Sequence, residues 1–249
     1  MISFINPFNR YEWMIAIRYL RSKRSDGGIS SMTWISLIGI SLAVFALIAT
    51  LAVRTGFRAE FVNTILGANA HASIYNSPYI NNDGVVVSGF ANYNQIKNKI
   101  ENIEGVLSVS PVVKGQVMAN ANGQNQGVEV FGETLIDIKK LPLIMSPELS
   151  YGSIDSFEKG IAIGSGIARS LGLKLGDTLT LISPDGVKTA FGTSPRINGF
   201  EVVYIFQVGR YDIDNTRIYM PLAEAQIYFN SEGRVDEFEV IVNEPEDID

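Results

Sequence analysis

The chain has 249 residues, of which 46% are hydrophobic and 18% charged, and it carries a formal net charge of −6. This composition excludes wholesale disorder, and the length suffices for a membrane anchor with one or two folded domains. The chain has no cysteine and a single histidine, His71. Disulfides, cysteine nucleophiles and multi-histidine metal centres are thereby excluded. We expect no catalytic residue, no metal site and no cofactor.

Positive charge is concentrated at the start of the chain. Residues 1–28 hold five basic residues against two acidic ones, a net charge of +3, and residues 29–53 hold no charge. Residues 54–249 therefore carry −9. A basic start, a neutral span and an acidic remainder are typical of a membrane protein and argue against nucleic acid as a partner.

The neutral span predicts a transmembrane helix at residues 32–53. Its 22 uncharged residues would form about 33 Å of helix, enough to cross a bilayer core. The span is too long and starts too late for a signal peptide, which leaves a buried core helix as the alternative. The basic residues before it place the N-terminus in the cytoplasm and residues 54–249 outside. Residues 1–31 then form a cytoplasmic segment, in which residues 11–24 fit an interfacial helix or an ordinary solvated one.

Hydrophobic periodicity predicts an α+β fold for residues 54–249. The membrane helix continues through 56–66, and later helices are expected at 93–103, 165–173 and 222–229. Alternating apolar residues predict strands at 71–76, 106–113, 126–133, 160–164, 178–183, 200–209, 217–221 and 235–243. We expect two subdomains, the first comprising about 70–150 with 215–249 and the second about 151–214.

Three stretches of the sequence resemble lipoprotein-releasing permeases of the LolC/LolE type. The first is the basic segment followed by the apolar span, and the second is Gly56-Phe57-Arg58 with Glu60, followed by Leu66–His71. The third, residues 160–184, is similar to a family stretch rich in Gly, Leu and Asp that ends in proline. These stretches occur in the family's order between about residues 10 and 245.

The resemblance implies a MacB-like periplasmic core domain within an ABC transporter permease of the bacterial inner membrane. Such permeases release lipoproteins to a soluble periplasmic carrier, and they work with a separate ATPase subunit and a second permease subunit, either a copy or a LolE-like sister. Family members carry three further membrane helices after the core, so we expect this chain to be a truncated form. The alternatives are a MacB-type efflux permease and an FtsX-like permease that signals to a cell-wall hydrolase.

The family's carrier-binding hairpin, called the hook, corresponds to residues 183–199. Thr189, Gly192 and Pro195 match its pattern, whereas Ala190 and Phe191 depart from it. A connection of about 15 residues between two strands is also long enough to predict a functional loop, with an ordinary flexible loop as the alternative. The predicted carrier contacts are Phe191, Pro195 and Arg196.

Small residues of the apolar span indicate a second site. Ser36, Gly39, Ala43 and Ala46 would let another helix or a lipid anchor approach closely. By resemblance they line the lipid path between two permease subunits, and a plain helix-packing seam is the alternative.

Motifs for chemistry are missing from the sequence. It has no GxxxxGK[ST] phosphate loop, so ATP hydrolysis is assigned to a partner subunit and the chain is not expected to be an enzyme. His71 is interpreted as structural. The carboxylates are interpreted as solvated, with no glycosidase-like pair among Asp155, Glu158, Asp236, Glu237 and Glu239.

Overall fold

A computed structural model describes residues 10–20, 27–66, 69–80, 86–146, 150–189 and 192–243. Internal contacts divide the chain into two units, Met1–Phe61 and Val62–Asp249. The described part of the first unit is helical, with α1 at Arg10–Leu20 and α2 at Gly27–Leu66, which continues into the second unit.

Helix α2 contains the predicted membrane span. Its residues Ser31–Arg58 are long and apolar enough to cross a bilayer, and none of the side chains in this window is buried within the protein. Thr50 and Thr55 donate their hydroxyl protons to carbonyls of their own helix, at 2.7 and 2.9 Å. Such bonds satisfy hydroxyls in an apolar environment, as expected for a helix surrounded by lipid. The predicted extension through residue 66 is confirmed.

The second unit alternates strands and short helices. Its helices are α3 (Tyr93–Glu101), α4 (Leu135–Ile138), α5 (Ser165–Leu171), α6 (Tyr211–Thr216) and α7 (Leu222–Tyr228), with a 3-10 helix at Ile154–Lys159. Its strands are β1 (Ala72–Tyr75), β2 (Tyr79–Ile80), β3 (Val86–Val87), β4 (Val106–Ala121), β5 (Gln124–Glu133), β6 (Tyr151–Gly152), β7 (Ile161–Gly164), β8 (Thr178–Thr189), β9 (Gly192–Phe206), β10 (Arg217–Pro221) and β11 (Glu237–Val242).

Six of these strands close into a ring. β4 pairs with β5, β5 with β10, β10 with β7, β7 with β9, β9 with β8, and β8 again with β4. β4 is long enough to hold a third neighbour, β11, along its first half, and β1 pairs with the other side of β11. Each of those six strands has a ring neighbour on both sides over part of its length, as in a small barrel.

Alternation along the ring strands separates two apolar layers. One layer fills the ring with β-branched and leucine side chains, among them Val117, Val130, Ile163, Leu181 and Ile218. The other lies on the opposite face, where Phe131, Tyr219 and Phe206 pack against the segment that contains α4 and the 3-10 helix. Both layers are fully covered, so the ring is a rigid frame for the segments attached to it.

Every predicted element is present and one predicted loop is wrong, but the structure adds β2, β3, β6, α4, α6 and the 3-10 helix, which the sequence did not predict. Each predicted strand and helix of residues 71–243 has a counterpart, and the α+β class is confirmed. The wrong loop is the long one expected between 183 and 200, because β8 and β9 continue through it as paired strands. The subdomain division stays a prediction; three strands of the ring come from each predicted subdomain.

Candidate functional site

The hook-like segment is a β-hairpin with a kink. The ladder runs regularly from Thr178↔Glu201 to Ser183↔Arg196, and it resumes at Val187↔Ser194. Three residues of β8, 184–186, therefore face only Pro195 of β9. Extra residues on one strand bend a ladder, so this bulge changes the direction of the hairpin. The outer segment, Val187–Thr189 with Gly192–Ser194, pairs with no other strand in the part of the chain described.

Gly186 makes the kink possible. It is buried, and a Cβ atom at this position would overlap the carbonyl oxygen of Ser194 and approach the backbone nitrogen of Arg196 to 2.7 Å. Only glycine lets the two backbones approach this closely.

Two of the three predicted carrier contacts are described, and they differ in exposure. Pro195 is exposed and lines an open cavity of about 720 Å³, together with Met118, Ile182 and Pro184. Arg196 is half-buried, because its guanidinium donates to the Ile227 carbonyl oxygen and, at 2.7 Å, to Asn230 Oδ1. Phe191 lies outside the described residues. The carrier-contact assignment stays a prediction for all three.

An apolar row adjoins the root of the hairpin. Met118 faces Ile182 across the β4–β8 ladder, and Ile182 faces Ile197 across the β8–β9 ladder. Met118 is 49% exposed and Ile197 is 63% exposed. Neighbouring exposed apolar side chains are a feature of interaction surfaces. The row and Pro195 border the same cavity through Met118 and Ile182.

The predicted lipid-path residues share one face of α2. Their spacing of three, four and three residues keeps Ser36, Gly39, Ala43 and Ala46 within one stripe. All four are exposed, and a Cβ atom on Gly39 would meet nothing within 4 Å. The stripe is thus open to a neighbour, and its role stays a prediction.

A charged cluster covers part of the outer sheet face. Lys114 of β4 and Arg217 of β10 come from the two strands that flank β5. Both lie over the Phe131 ring, with Lys114 Nζ 4.6 Å and Arg217 Cζ 4.3 Å from its centroid. Lys114 Nζ lies 3.5 Å from Glu129 and 3.9 Å from Glu237. The solvated interpretation is wrong for Glu237, which is buried, and right for Asp155 and Glu158, which are exposed. Asp236 and Glu239 are half-buried, so it holds for them only in part.

Glu133 is the most deeply buried acid of this face. Burial raises the pKa of its carboxyl well above the ordinary value of 4.5, and the carboxylates of Glu239 and Asp137 act in the same direction. Its Oε1 has no hydrogen-bond partner among the described residues. The described residues contain no group of three His, Cys, Asp or Glu side chains that could hold a metal ion.

His71 joins the start of the second unit to its last strand. Its backbone NH donates to Val240 O at 2.9 Å, and its Nδ1 lies 3.1 Å from both the nitrogen and the oxygen of Val242. All of these partners are backbone atoms, which agrees with a structural role for His71.

These features define a class: an α+β domain that carries a kinked hairpin, preceded by a helix able to span a membrane. A family model, the MacB-like periplasmic core domain, matches residues 33–249, and the chain belongs to this family. The predicted fold class is confirmed by that match.

Individual relatives confirm the resemblance to LolC and LolE. The lipoprotein-releasing system transmembrane protein LolC of Neisseria meningitidis serogroup B is 30% identical over 92% of this chain and 53% of its own length. LolE of Haemophilus influenzae is 28% identical over 87% of this chain and 51% of its own. The chain thus spans about half the length of these relatives. The periplasmic region of MacB from Actinobacillus actinomycetemcomitans aligns over 74% of this chain and 79% of its own, with 12% identity and a TM-score of 0.46.

Two residues of the hairpin region were missed by sequence reasoning. Asn230, which binds Arg196, follows α7 in the left-handed conformation with φ 55°. Asparagine after a helix is a known signal for this conformation. The sequence could therefore have located the helix end, but not the contact between Asn230 and Arg196. Ile197 was not recognised as a surface residue of a strand, because residues 183–199 were interpreted as a loop. In a loop, alternating apolar residues do not indicate which side chains share a face.

Proposed function

We propose that the chain is part of a permease subunit of an ABC transporter that releases lipoproteins from the bacterial inner membrane to a periplasmic carrier. The observation that carries the proposal is the kinked β8–β9 hairpin at the position of the family hook, in a chain similar to LolC over most of its length. The names of the relatives favour lipoprotein release over efflux or signalling.

The hairpin is the proposed docking site for the carrier. Among the described residues, its outer segment has backbone pairing only within itself. Pro195 and the row of Met118, Ile182 and Ile197 extend an apolar surface to its root. Phe191 would serve as the apolar anchor at the end of the hairpin. Anchors of this type dominate binding energy, whereas surrounding contacts exclude water.

Calorimetry with the full chain in detergent micelles and the purified carrier of the same organism tests the docking site. Phe191→Ala should weaken binding at least tenfold, or about 1.4 kcal/mol, because an aromatic anchor is lost. The matched control is Tyr151→Ala, an exposed aromatic on β6, which pairs with the far end of β9. Unchanged affinity in Phe191→Ala, with an unchanged melting temperature, would contradict the proposal.

The proposed topology places residues 1–31 in the cytoplasm, one span at 32–53, and residues 54–249 in the periplasm. The charge step before the span supports this orientation. The ATPase and the second permease subunit would be separate chains. Reporter fusions at Asn6 and after Asp249 test the topology, and a fusion after Asp249 that is active only in the cytoplasm would exclude it.

The small-residue stripe of α2 is the proposed lipid path. All four residues are exposed, so a lipid anchor can reach them. Gly39→Leu in the full-length permease should impair lipoprotein release, because the larger side chain fills the stripe. Crosslinkers at Ala43 that reach only other helices, and never lipoprotein, would show a packing seam instead.

A further inference from the structure

Arg196 is bound at the one point where the hairpin changes direction. It is the last residue of the regular ladder on β9, opposite Ser183, and Pro195 next to it faces the bulge. Its Nη2 donates to Asn230 Oδ1 at 2.7 Å, and its Nη1 donates to the Ile227 carbonyl oxygen. From the other side, Asn230 Nδ2 donates to the Gly186 carbonyl oxygen at 3.4 Å. Both strands of the kink are thus tied to the same asparagine.

Asn230 is held in place by the end of helix α7. The NH of Ser231 donates to Gln226 O at 2.8 Å and the NH of Asn230 donates to Ile227 O at 3.4 Å. Together with the positive φ of Asn230, these two bonds form a Schellman motif. The conformation of Asn230 is therefore set by the helix end, and its side chain reaches both strands of the hairpin.

Helix α7 is itself fixed on the ring of strands. A Cβ atom on Gly132 of β5 would overlap Ala225, and one on Gly115 of β4 would overlap the ring of Phe229. Tyr228 packs edge-on against Phe200 of β9, with ring centroids 5.8 Å apart. A side chain bound to this helix end is bound to the rigid core of the domain.

We infer that Arg196 is a positioning residue, which clamps the kink to α7 through Asn230 and thereby fixes the direction of the outer hairpin segment. The guanidinium suits this role because its fork presents two donors to two acceptors at once, which a lysine ammonium does with less geometric control. An arginine is also favoured beside the negative end of a helix. The clamp is formed entirely within this domain, between the hairpin and the end of α7.

The consequence of the clamp for docking rests on the proposed function. A hairpin held in one direction has less orientational freedom to lose when a carrier binds, so pre-organisation raises affinity without a direct contact. Arg196 would then affect carrier binding from a position where its guanidinium is occupied within the chain.

Pulsed electron paramagnetic resonance on the full chain in detergent tests the clamp without a carrier. The chain has no cysteine, so spin labels on Asn94→Cys in α3 and Thr193→Cys in the outer segment report only the distance between the core and the hairpin. Arg196→Ala should broaden this distance distribution by about twofold or more, because two bonds that hold the kink are lost. Arg196→Lys should give an intermediate width.

Asn230→Gly is the second variant, and it keeps the helix end intact. Glycine accepts the left-handed conformation, so the side-chain bonds to Arg196 and Gly186 are removed while the backbone conformation is kept. It should broaden the distribution as Arg196→Ala does, and the double variant should add little, since both changes break the same contact. Arg210→Ala, which removes an exposed pair with Asp212, is the control and should change nothing.

The outcomes separate the clamp from the carrier. A distribution of unchanged width in both Arg196→Ala and Asn230→Gly, at unchanged melting temperature, would overturn the clamp. A broadened distribution supports it, whatever the carrier does. If the wild-type chain fails to bind carrier while the variants still broaden the distribution, the clamp stands and the proposed function fails.

Discussion

The domain contains two long hairpins that are tied to helix ends in different places. In the β4–β5 hairpin the ladder runs without a shift from Val113↔Gly132 to Ala121↔Gln124. Its turn residue Asn122 donates to the carbonyl oxygens of Leu171 and Gly172 at the end of α5, at 2.8 and 3.2 Å. The β8–β9 hairpin is tied to the end of α7 at its kink, through Arg196.

The position of the tie determines which part of each hairpin is available to a partner. The β4–β5 hairpin is fixed at its tip, so no segment of it extends beyond the tie. The β8–β9 hairpin is fixed part-way along, and in the described part of the chain the segment beyond the tie pairs only with itself. A hairpin therefore becomes a projecting element when a bulge redirects it and a side chain anchors it at that bulge.

The two hairpins also differ in whether a charged side chain has hydrogen-bond partners. Arg196 has two acceptors, whereas the Oε1 atom of Glu133, at the end of β5, has no hydrogen-bond partner in the described chain. Burial raises the pKa of Glu133 well above 4.5. The stabilising effect of the protonated form is complete below the unfolded pKa and is lost as the pH rises through the folded one.

The largest expected effect is therefore the pH dependence of stability in Glu133→Gln. Between the two pKa values the wild-type free energy of unfolding should fall by up to about 1.4 kcal/mol per pH unit, and the variant should lack this loss. Urea unfolding of the full chain in detergent between pH 5 and about 8 measures the difference. Glu224→Gln, exposed on α7, is the control and should run parallel to wild type. If stability against pH for Glu133→Gln runs parallel to that of wild type, Glu133 remains charged in the folded protein over this pH range.

Gly186→Ala should have the next largest effect, and it breaks the kink itself. The new Cβ would overlap the Ser194 carbonyl oxygen, so one strand of the hairpin must shift. Overpacking of this kind costs about 1–3 kcal/mol. Gly123→Ala in the turn of the other hairpin is the matched comparison, because its Cβ meets nothing within 4 Å and only the positive φ of 76° is strained. Equal melting temperatures for Gly186→Ala and wild type would refute the close approach.

Local patterns in the sequence predicted the frame of this domain well. Strands such as β7 and β10 are short apolar runs, each followed directly by a helix. Their ends can be predicted from the change in hydrophobic pattern and, for β7, from the glycines that flank it. The continuation of β8 and β9 as paired strands was missed because Pro184, Gly186 and Pro195 all favour loops. A bulge admits these residues within a ladder, and whether a ladder continues beyond it depends on pairing that local sequence does not contain.

Contacts between distant residues explain the remaining differences. Arg196 and Asn230 meet only because α7 packs on β4 and β5, so their separation in sequence carries no signal. Glu237 lies in a strand with charged and apolar residues in alternation, which predicts one solvated face. That face is covered by neighbours from β4 and β5, among them Lys114, and the prediction of a solvated Glu237 failed for that reason.

Asn122 provides the smallest effect and the most direct test of the tie at a hairpin tip. Asn122→Ala removes two hydrogen bonds to the end of α5 and places alanine at φ 51°. Each hydrogen bond contributes about 1 kcal/mol to the free energy of unfolding. Loss of both bonds should therefore cost about 2 kcal/mol at most, and less where water takes the place of the lost amide. Asn122→Gly separates the two causes, because glycine relieves the backbone strain and still lacks the amide. If the tie matters, both variants should lower the melting temperature, and amide exchange in the Ala121–Gln124 turn should become faster in each. If only backbone conformation matters, Asn122→Gly should match wild type in both measurements, and the β4–β5 hairpin would then be held by its ladder alone.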